Sequence, residues 1–141
     1  MFEYVVYRSF AGDPRDVSIH VRDILQASLV NNWRDEVTGF LHSERGRFYQ
    51  YIEGAKPAID NLMSRLRLDR RHHSLEVRGQ GVVSARQFTG WDMGFASADE
   101  NYLLVTAADP DRSPPTGDEI VSFFLDASNR RAQSKMIKSQ A

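Results

Sequence analysis

The stretch from residue 36 to 53 constrains the fold more than any other part of the chain. Two runs of strand-forming type, Glu36 to His42 and Arg47 to Glu53, are separated by SERG, whose Gly46 suits a tight hairpin loop, so the runs are expected to pair antiparallel. Upstream, FEYVVYRSF (residues 2 to 10) is β-branched and aromatic and stops at Gly12, Asp13 and Pro14, which predicts a first strand closed by a turn. Between this strand and the hairpin, Val17, Val21, Ile24, Leu25, Ser28 and Leu29 recur at three- and four-residue steps. With Asp16 as N-cap they predict an amphipathic helix ending near Asn31. After the hairpin, Pro57 falls in a first helical turn, and Ile59, Leu62, Met63 and Leu66 share one face of a second helix. Strand-like stretches follow at Leu75 to Val83 and at Trp91 to Phe95.

The order β-α-β-β-α-β, with one further strand, places the chain in the α+β class. It is the ferredoxin-like, split βαβ arrangement, an antiparallel-rich sheet with both helices on one face. With 141 residues there is room for one domain, assigned to residues 1–97, and a C-terminal helical extension with a basic tail over residues 98–141. In that extension DPDRSPP (109–115) is a turn-rich break and Tyr102 to Val105 a short element of either type. Thr116 and Glu119 have capping-box spacing, and Ile120, Val121, Phe124 and Leu125 form a helical stripe beside Phe123. The expected resting place for this stripe is the sheet face that the first two helices leave open, the alternative being an oligomer or partner interface. Beyond Asp126 the chain carries +4, which leaves −5 on the first 126 residues, and a frayed, solvated terminus is expected there.

The net charge of −1 provides no global footprint for nucleic acid, and no partner of that kind is expected. The absence of cysteine excludes disulfides, iron–sulfur clusters, thiolate nucleophiles and zinc knuckles. The start, Met-Phe-Glu-Tyr, carries an acid where a signal peptide has bases, and no apolar run of about 18 residues occurs, so a cytoplasmic protein without membrane association is expected.

Nucleotide-binding loops, GxSxG and HExxH are all missing. The adjacent His72 and His73 would diverge on any element, and His20 and His42 lack ligand companions, so these last two are read as surface or half-buried and no metal site is expected. More telling is a polar group where alternation predicts burial. In Phe48-Tyr49-Gln50-Tyr51-Ile52 the period of two puts Gln50 on the face of Phe48 and Ile52, and the same rule puts Tyr7 with Val5. An inward amide needs partners for two donors and an acceptor, and the Tyr7 phenol on a neighbouring strand can supply one. Asn31 and Asn32 at the end of the first helix, and Arg65 and Asp69 spaced i, i+4 on the second, complete a polar-tipped slot between the helices. Such a slot suits a flat heterocycle with carbonyl and ring-nitrogen groups. Each feature also has a plainer reading: a left-handed helix terminus for one Asn, and a helix-surface ion pair for Arg65 and Asp69.

Five fragments in order carry a family resemblance: VYRSF around Tyr7, NN with VTGFL over residues 31–41, GRFYQYIEG over 46–54, DRRH over 69–72, and RQFTGWDMGF over 86–95. Over residues 2–95 the chain resembles the BLUF photoreceptors, blue-light sensors using FAD, in their short single-domain form. The resemblance implies noncovalent FAD between the two helices, its ring edge toward Tyr7 and Gln50. Asn32 would bond the pyrimidine end, with Asn31, Arg65 and Asp69 close to the flavin or its chain and His72 near the cofactor's polar tail. It implies further that Tyr7 gives up an electron and a proton, that Gln50 passes the proton and then rotates or tautomerises, and that the altered hydrogen bond produces a small red shift. Trp91 and Met93, on one face of the last strand, would relay the signal. No substrate would be turned over. The output would lie in a downstream effector protein, and self-association into a homo-oligomer through a sheet edge or the appended helices is expected. Two other readings share the topology. One is an acylphosphatase-like hydrolase using Asn32 and Arg8, although FAGDPRD stands where a phosphate-cradling loop belongs; the other is a regulatory module with no chromophore, in which Gln50 is a structural amide.

Overall fold

The computed structural model describes residues 1–11, 36–44, 47–70, 72–88, 91–92 and 115–140. Along the chain they form β1 (Phe2–Ala11), β2 (Thr38–Glu44), β3 (Arg47–Gly54), α1 (Lys56–Leu68), β4 (His72–Val83), β5 (Trp91–Asp92) and α2 (Gly117–Gln140). The five strands make one sheet in the order β4-β1-β3-β2-β5, antiparallel throughout except for the short parallel pairing of β5 with β2. The four-strand order 4-1-3-2 is the split βαβ arrangement expected from the sequence. Its first expected helix, Asp16 to Asn31, lies outside the described residues, as do the short element at 102–105 and residues 93–95 of the last strand.

The hairpin is longer than expected on its loop side. Ser43 and Glu44 belong to β2, and Glu44 pairs with Arg47, so only residues 45 and 46 separate the strands. The start of β4 also moves, from the expected Leu75 to His72. The pairing of β1 with β4 slips between Val6 and Tyr7 and again between Arg8 and Phe10, so twelve residues of β4 lie against ten of β1. Ser74, in the second irregularity, has φ 55°, the left-handed conformation that accommodates an extra residue. Such bulges break the period of two, which is why the sequence pattern does not extend to His72.

Alternation along β1 and β3 divides the core in two. Val5 and Ile52 face α1, where they pack with Val37, Ile59 and Leu62. Val6, Tyr49 and Tyr51 face the other way, onto Phe40, Phe88, Ile120 and Phe124. Helix α2 therefore covers the sheet face opposite α1, the resting place expected for its apolar stripe. Its start is fixed by the expected capping box: the Glu119 amide donates to Thr116 Oγ1 (3.2 Å) and the Thr116 amide to Glu119 Oε1 (3.3 Å). Gly117 lets the helix begin directly on β4, since a Cβ there would meet the Arg78 carbonyl oxygen at 2.6 Å. The basic segment after Asp126, expected to fray, continues as helix to Gln140. His42, expected at or near the surface, is 1% exposed: it shares the face of Phe40 and is covered by Phe123, its ring centroid 4.7 Å away.

Candidate functional site

Tyr7 and Gln50 are direct partners across β1 and β3. Both are almost fully buried, at 3% and 2% exposure, on the α1 side of the sheet. The Tyr7 hydroxyl donates to Gln50 Oε1, so the phenol answers the buried amide as the alternation predicted. Burial, and secondarily the negative charge of Asp69, push the Tyr7 phenol far above its ordinary range. The resting pair is therefore a neutral phenol donating to an amide oxygen, which leaves the amide N–H groups as the donors that Gln50 can offer another molecule.

The C-terminal end of α1 forms one side of this pair. Asp69 is its C-cap, with its amide donating to Leu66 O (3.3 Å), and is near enough to Tyr7 to act on the phenol electrostatically. Arg65, one turn earlier, is half-buried. His72, the first residue of β4, is buried with its ring centroid 6.4 Å from both Tyr7 and Phe48. Its Nε2 lies 2.6 Å from Leu66 O, and its Nδ1 2.7 Å from Ser9 Oγ. A carbonyl can only accept, so Nε2 carries a proton, and in the neutral ring Nδ1 accepts from Ser9. His72 thus ties β1, β4 and the end of α1 together beside Tyr7.

Among the other residues singled out, Asn31, Asn32 and Met93 lie outside the described residues. In β5 the backbone of Trp91 pairs with Gly39 of β2. Arg8, on the face opposite Tyr7, is ion-paired with Glu76 of β4, its Nε donating over 3.0 Å, and sits above the Phe10 ring. That placement separates it from the phenol–amide pair and commits it to a carboxylate. No group of three or more His, Asp or Glu side chains able to hold a metal occurs among the described residues, nor is any helix there long and apolar enough to cross a membrane.

The sequence reading passed over Glu53. It is fully buried on the α2 side and accepts from four donors: Tyr51 Oη (2.9 Å), Thr38 Oγ1 (3.3 Å) and the amides of Gln87 (3.0 Å) and Phe88 (2.7 Å). Tyr49, Tyr51 and Glu53 alternate along β3, so the rule that found Gln50 on one face would have found Glu53 on the other.

The site is thus a buried phenol–amide pair on a split βαβ sheet, beside the end of a helix. Residues 2–94 match the family described as "BLUF: Sensors of blue-light using FAD", and the chain belongs to that family. BlrB, a BLUF protein solved in its dark state, is 31% identical, with a TM-score of 0.68 over 89% of this chain and 92% of that one. BlsA in its photo-activated state shares the fold at 20% identity, with a TM-score of 0.72 over 90% of this chain and 94% of that one. The photoactivated adenylate cyclase subunit alpha of Euglena gracilis is 27% identical over 90 residues, which cover 63% of this chain and 9% of that protein. A bacterial light-regulated adenylyl cyclase has a TM-score of 0.65 at 24% identity over 95% of this chain, which spans 36% of the cyclase. The chain is therefore a BLUF flavin domain, and it covers about a tenth of the Euglena relative and about a third of the bacterial cyclase.

Proposed function

We propose that blue light is sensed here by Tyr7 and Gln50 acting on FAD held against the α1 side of the sheet, and that the change is passed to a partner protein. The observation that carries this reading is the buried hydrogen bond from the Tyr7 hydroxyl to Gln50 Oε1. It fits a flavin because the amide N–H groups can meet a ring edge made of carbonyl and ring-nitrogen acceptors, while the phenol stays within the protein. Arg65 and Asp69 at the end of α1, with Asn31 and Asn32, are proposed to hold the ring or its chain. His72 is proposed to shape the wall of the site, since both its ring nitrogens already hold protein partners.

When bound, FAD supplies on absorbing blue light a strong one-electron oxidant. Tyr7 is the residue to be oxidised. A phenol that loses an electron becomes a strong acid, and the hydrogen bond already aims its proton at Gln50. Burial and Asp69 oppose a resting phenolate, so the proton is still on the oxygen, aimed at Gln50, when the electron leaves. Gln50, donor and acceptor at once, would pass the proton toward the bound flavin, which would also hold the electron; when both have returned to Tyr7, Gln50 would be left rotated or tautomerised, with a changed set of hydrogen bonds to Tyr7 and the flavin. No substrate is turned over in this cycle, and the proposed output is a contact with an effector protein. Adding FAD to the purified chain should produce a yellow protein whose flavin band shifts reversibly to the red under blue light; a chain that stays colourless after FAD is offered would overturn the reading.

A further inference from the structure

The geometry points to Glu53 as a positioning residue that clasps the segment before β5 to the photoactive strand and, through it, to α2. Glu53 follows Gln50 by three residues on β3 but faces the opposite side of the sheet, where it pairs across the ladders with Tyr4 and Thr38. Each carboxylate oxygen has two donors. Oε1 accepts from the Thr38 hydroxyl and the Phe88 amide, Oε2 from the Tyr51 hydroxyl and the Gln87 amide. Four donors converging on a group with no exposure suit an acceptor-only carboxylate, and its charge is balanced one step out. There the Arg86 guanidinium donates to Thr38 Oγ1 (2.9 Å), to the Glu53 carbonyl (3.3 Å) and to the Glu36 carbonyl (2.7 Å), and lies 4.5 Å above the Phe2 ring. Glu36 has φ 55°, an unfavourable conformation for a side chain of its kind, so Arg86 also secures a strained turn at the entrance to β2.

The clasp opens onto α2. Phe88, whose amide Glu53 holds, is buried with its ring centroid 5.1 Å from Tyr51 and 6.0 Å from Phe40, and Phe40 stacks on Phe124 of α2 at 4.6 Å. Gln50 and α2 thus lie on opposite sides of the sheet, joined by a short packed route: β3 to Glu53, Glu53 to Phe88, Phe88 through Phe40 to Phe124. Strand β5 begins three residues after Phe88, so the same carboxylate sets where β5 meets β2. Rigid buried contacts of this kind transmit a displacement of β3 that a solvated loop would absorb.

This inference rests on the light-sensing reading for its signalling role, while the clasp itself is tested in the dark. In the full FAD-loaded chain, amide hydrogen exchange is measured for wild type, Glu53→Gln and Tyr51→Phe. Glu53→Gln turns one acceptor end toward backbone donors as an NH2 group and should speed exchange at Gln87 or Phe88 about tenfold in the dark. Tyr51→Phe removes one donor and retains the ring, and should move the same amides in the same direction by less. The flavin red shift should survive in both, whereas the light-induced change in α2 exchange present in wild type should be lost in Glu53→Gln. Dark protection equal to wild type in either variant, or an unchanged light response of α2, overturns the inference. Should Glu53→Gln not fold, the Tyr51→Phe result decides. A wild-type chain that binds FAD yet shows no red shift contradicts the light-sensing reading and the relay, but leaves the dark-state clasp to stand or fall on its own exchange data.

Discussion

The Tyr7 hydroxyl donates to the side-chain oxygen of Gln50, its direct neighbour across two antiparallel strands, and both residues are buried on the same face of the sheet. A phenol and an amide paired in this way hold each other in one orientation. Elsewhere such a pair would merely satisfy two buried polar groups. In the proposed light response this pair is where the flavin acts.

Removing the phenol oxygen tests the donor side of the pair. Tyr7→Phe leaves the ring in its packing and deprives Gln50 Oε1 of its partner, at a cost of about 1–3 kcal/mol if the amide stays unpaired. Urea unfolding in the dark should show that loss, and spectra recorded after a blue pulse should show no red-shifted species.

Alkaline titration tests the burial of the phenols. Tyr7 and Tyr51 are both pushed well above the ordinary tyrosine range, by burial first; Asp69 adds to the effect at Tyr7, and the hydrogen bond to Glu53 adds to it at Tyr51. In the unfolded chain these phenols ionise near pH 10, so above that pH the folded state binds more protons than the unfolded state. Stability contributed by the raised values is complete below about pH 10 and declines as pH rises further. Tyrosinate absorbance should show these two phenols ionising only as the fold is lost.

Gly39 tests the approach of β2 to β3. A Cβ there would lie 1.9 Å from the Tyr51 carbonyl oxygen, a backbone atom that cannot swing aside. Gly39→Ala must therefore displace the ladder on which β5 also pairs, and an overpacking cost of about 1–3 kcal/mol or more is expected in denaturant unfolding.

Phe124 tests whether α2 belongs to the folded unit. Its ring is fully buried against Phe40, and Ile120 fills the position one turn earlier. Phe124→Ala should destabilise the chain by about 3–5 kcal/mol in denaturant unfolding, with all strands affected together. A transition confined to helix loss would mean that the sheet does not depend on this cover.

Much of this was legible in the sequence, for reasons that also explain what was not. Tyr7 and Gln50 emerge from alternation because β1 and β3 pair without interruption, so parity along each strand survives in three dimensions. The start of β4 at His72 was hidden because two slips in its pairing with β1 scramble that parity. His42 and Glu53 were missed for a different reason. Their burial depends on what covers the second face of the sheet: Phe123 of α2 lies over His42, and the Gln87–Phe88 segment closes over Glu53, both contributed from more than thirty residues away. A polar residue on a strand can be recognised as buried only when both layers above and below the sheet are known. The helix itself was readable from its capping box and stripe, and Tyr49, Tyr51 and Glu53 alternate onto the face where it packs against the two tyrosines.

The most direct measurement is the light-minus-dark absorption spectrum of the FAD-loaded chain, wild type against Gln50→Leu. Leucine retains the bulk of the side chain and removes both the acceptor for Tyr7 and the donors for the flavin. The account predicts a reversible red shift of the flavin band in wild type and none in Gln50→Leu with flavin still bound; a normal red shift in that variant would contradict it.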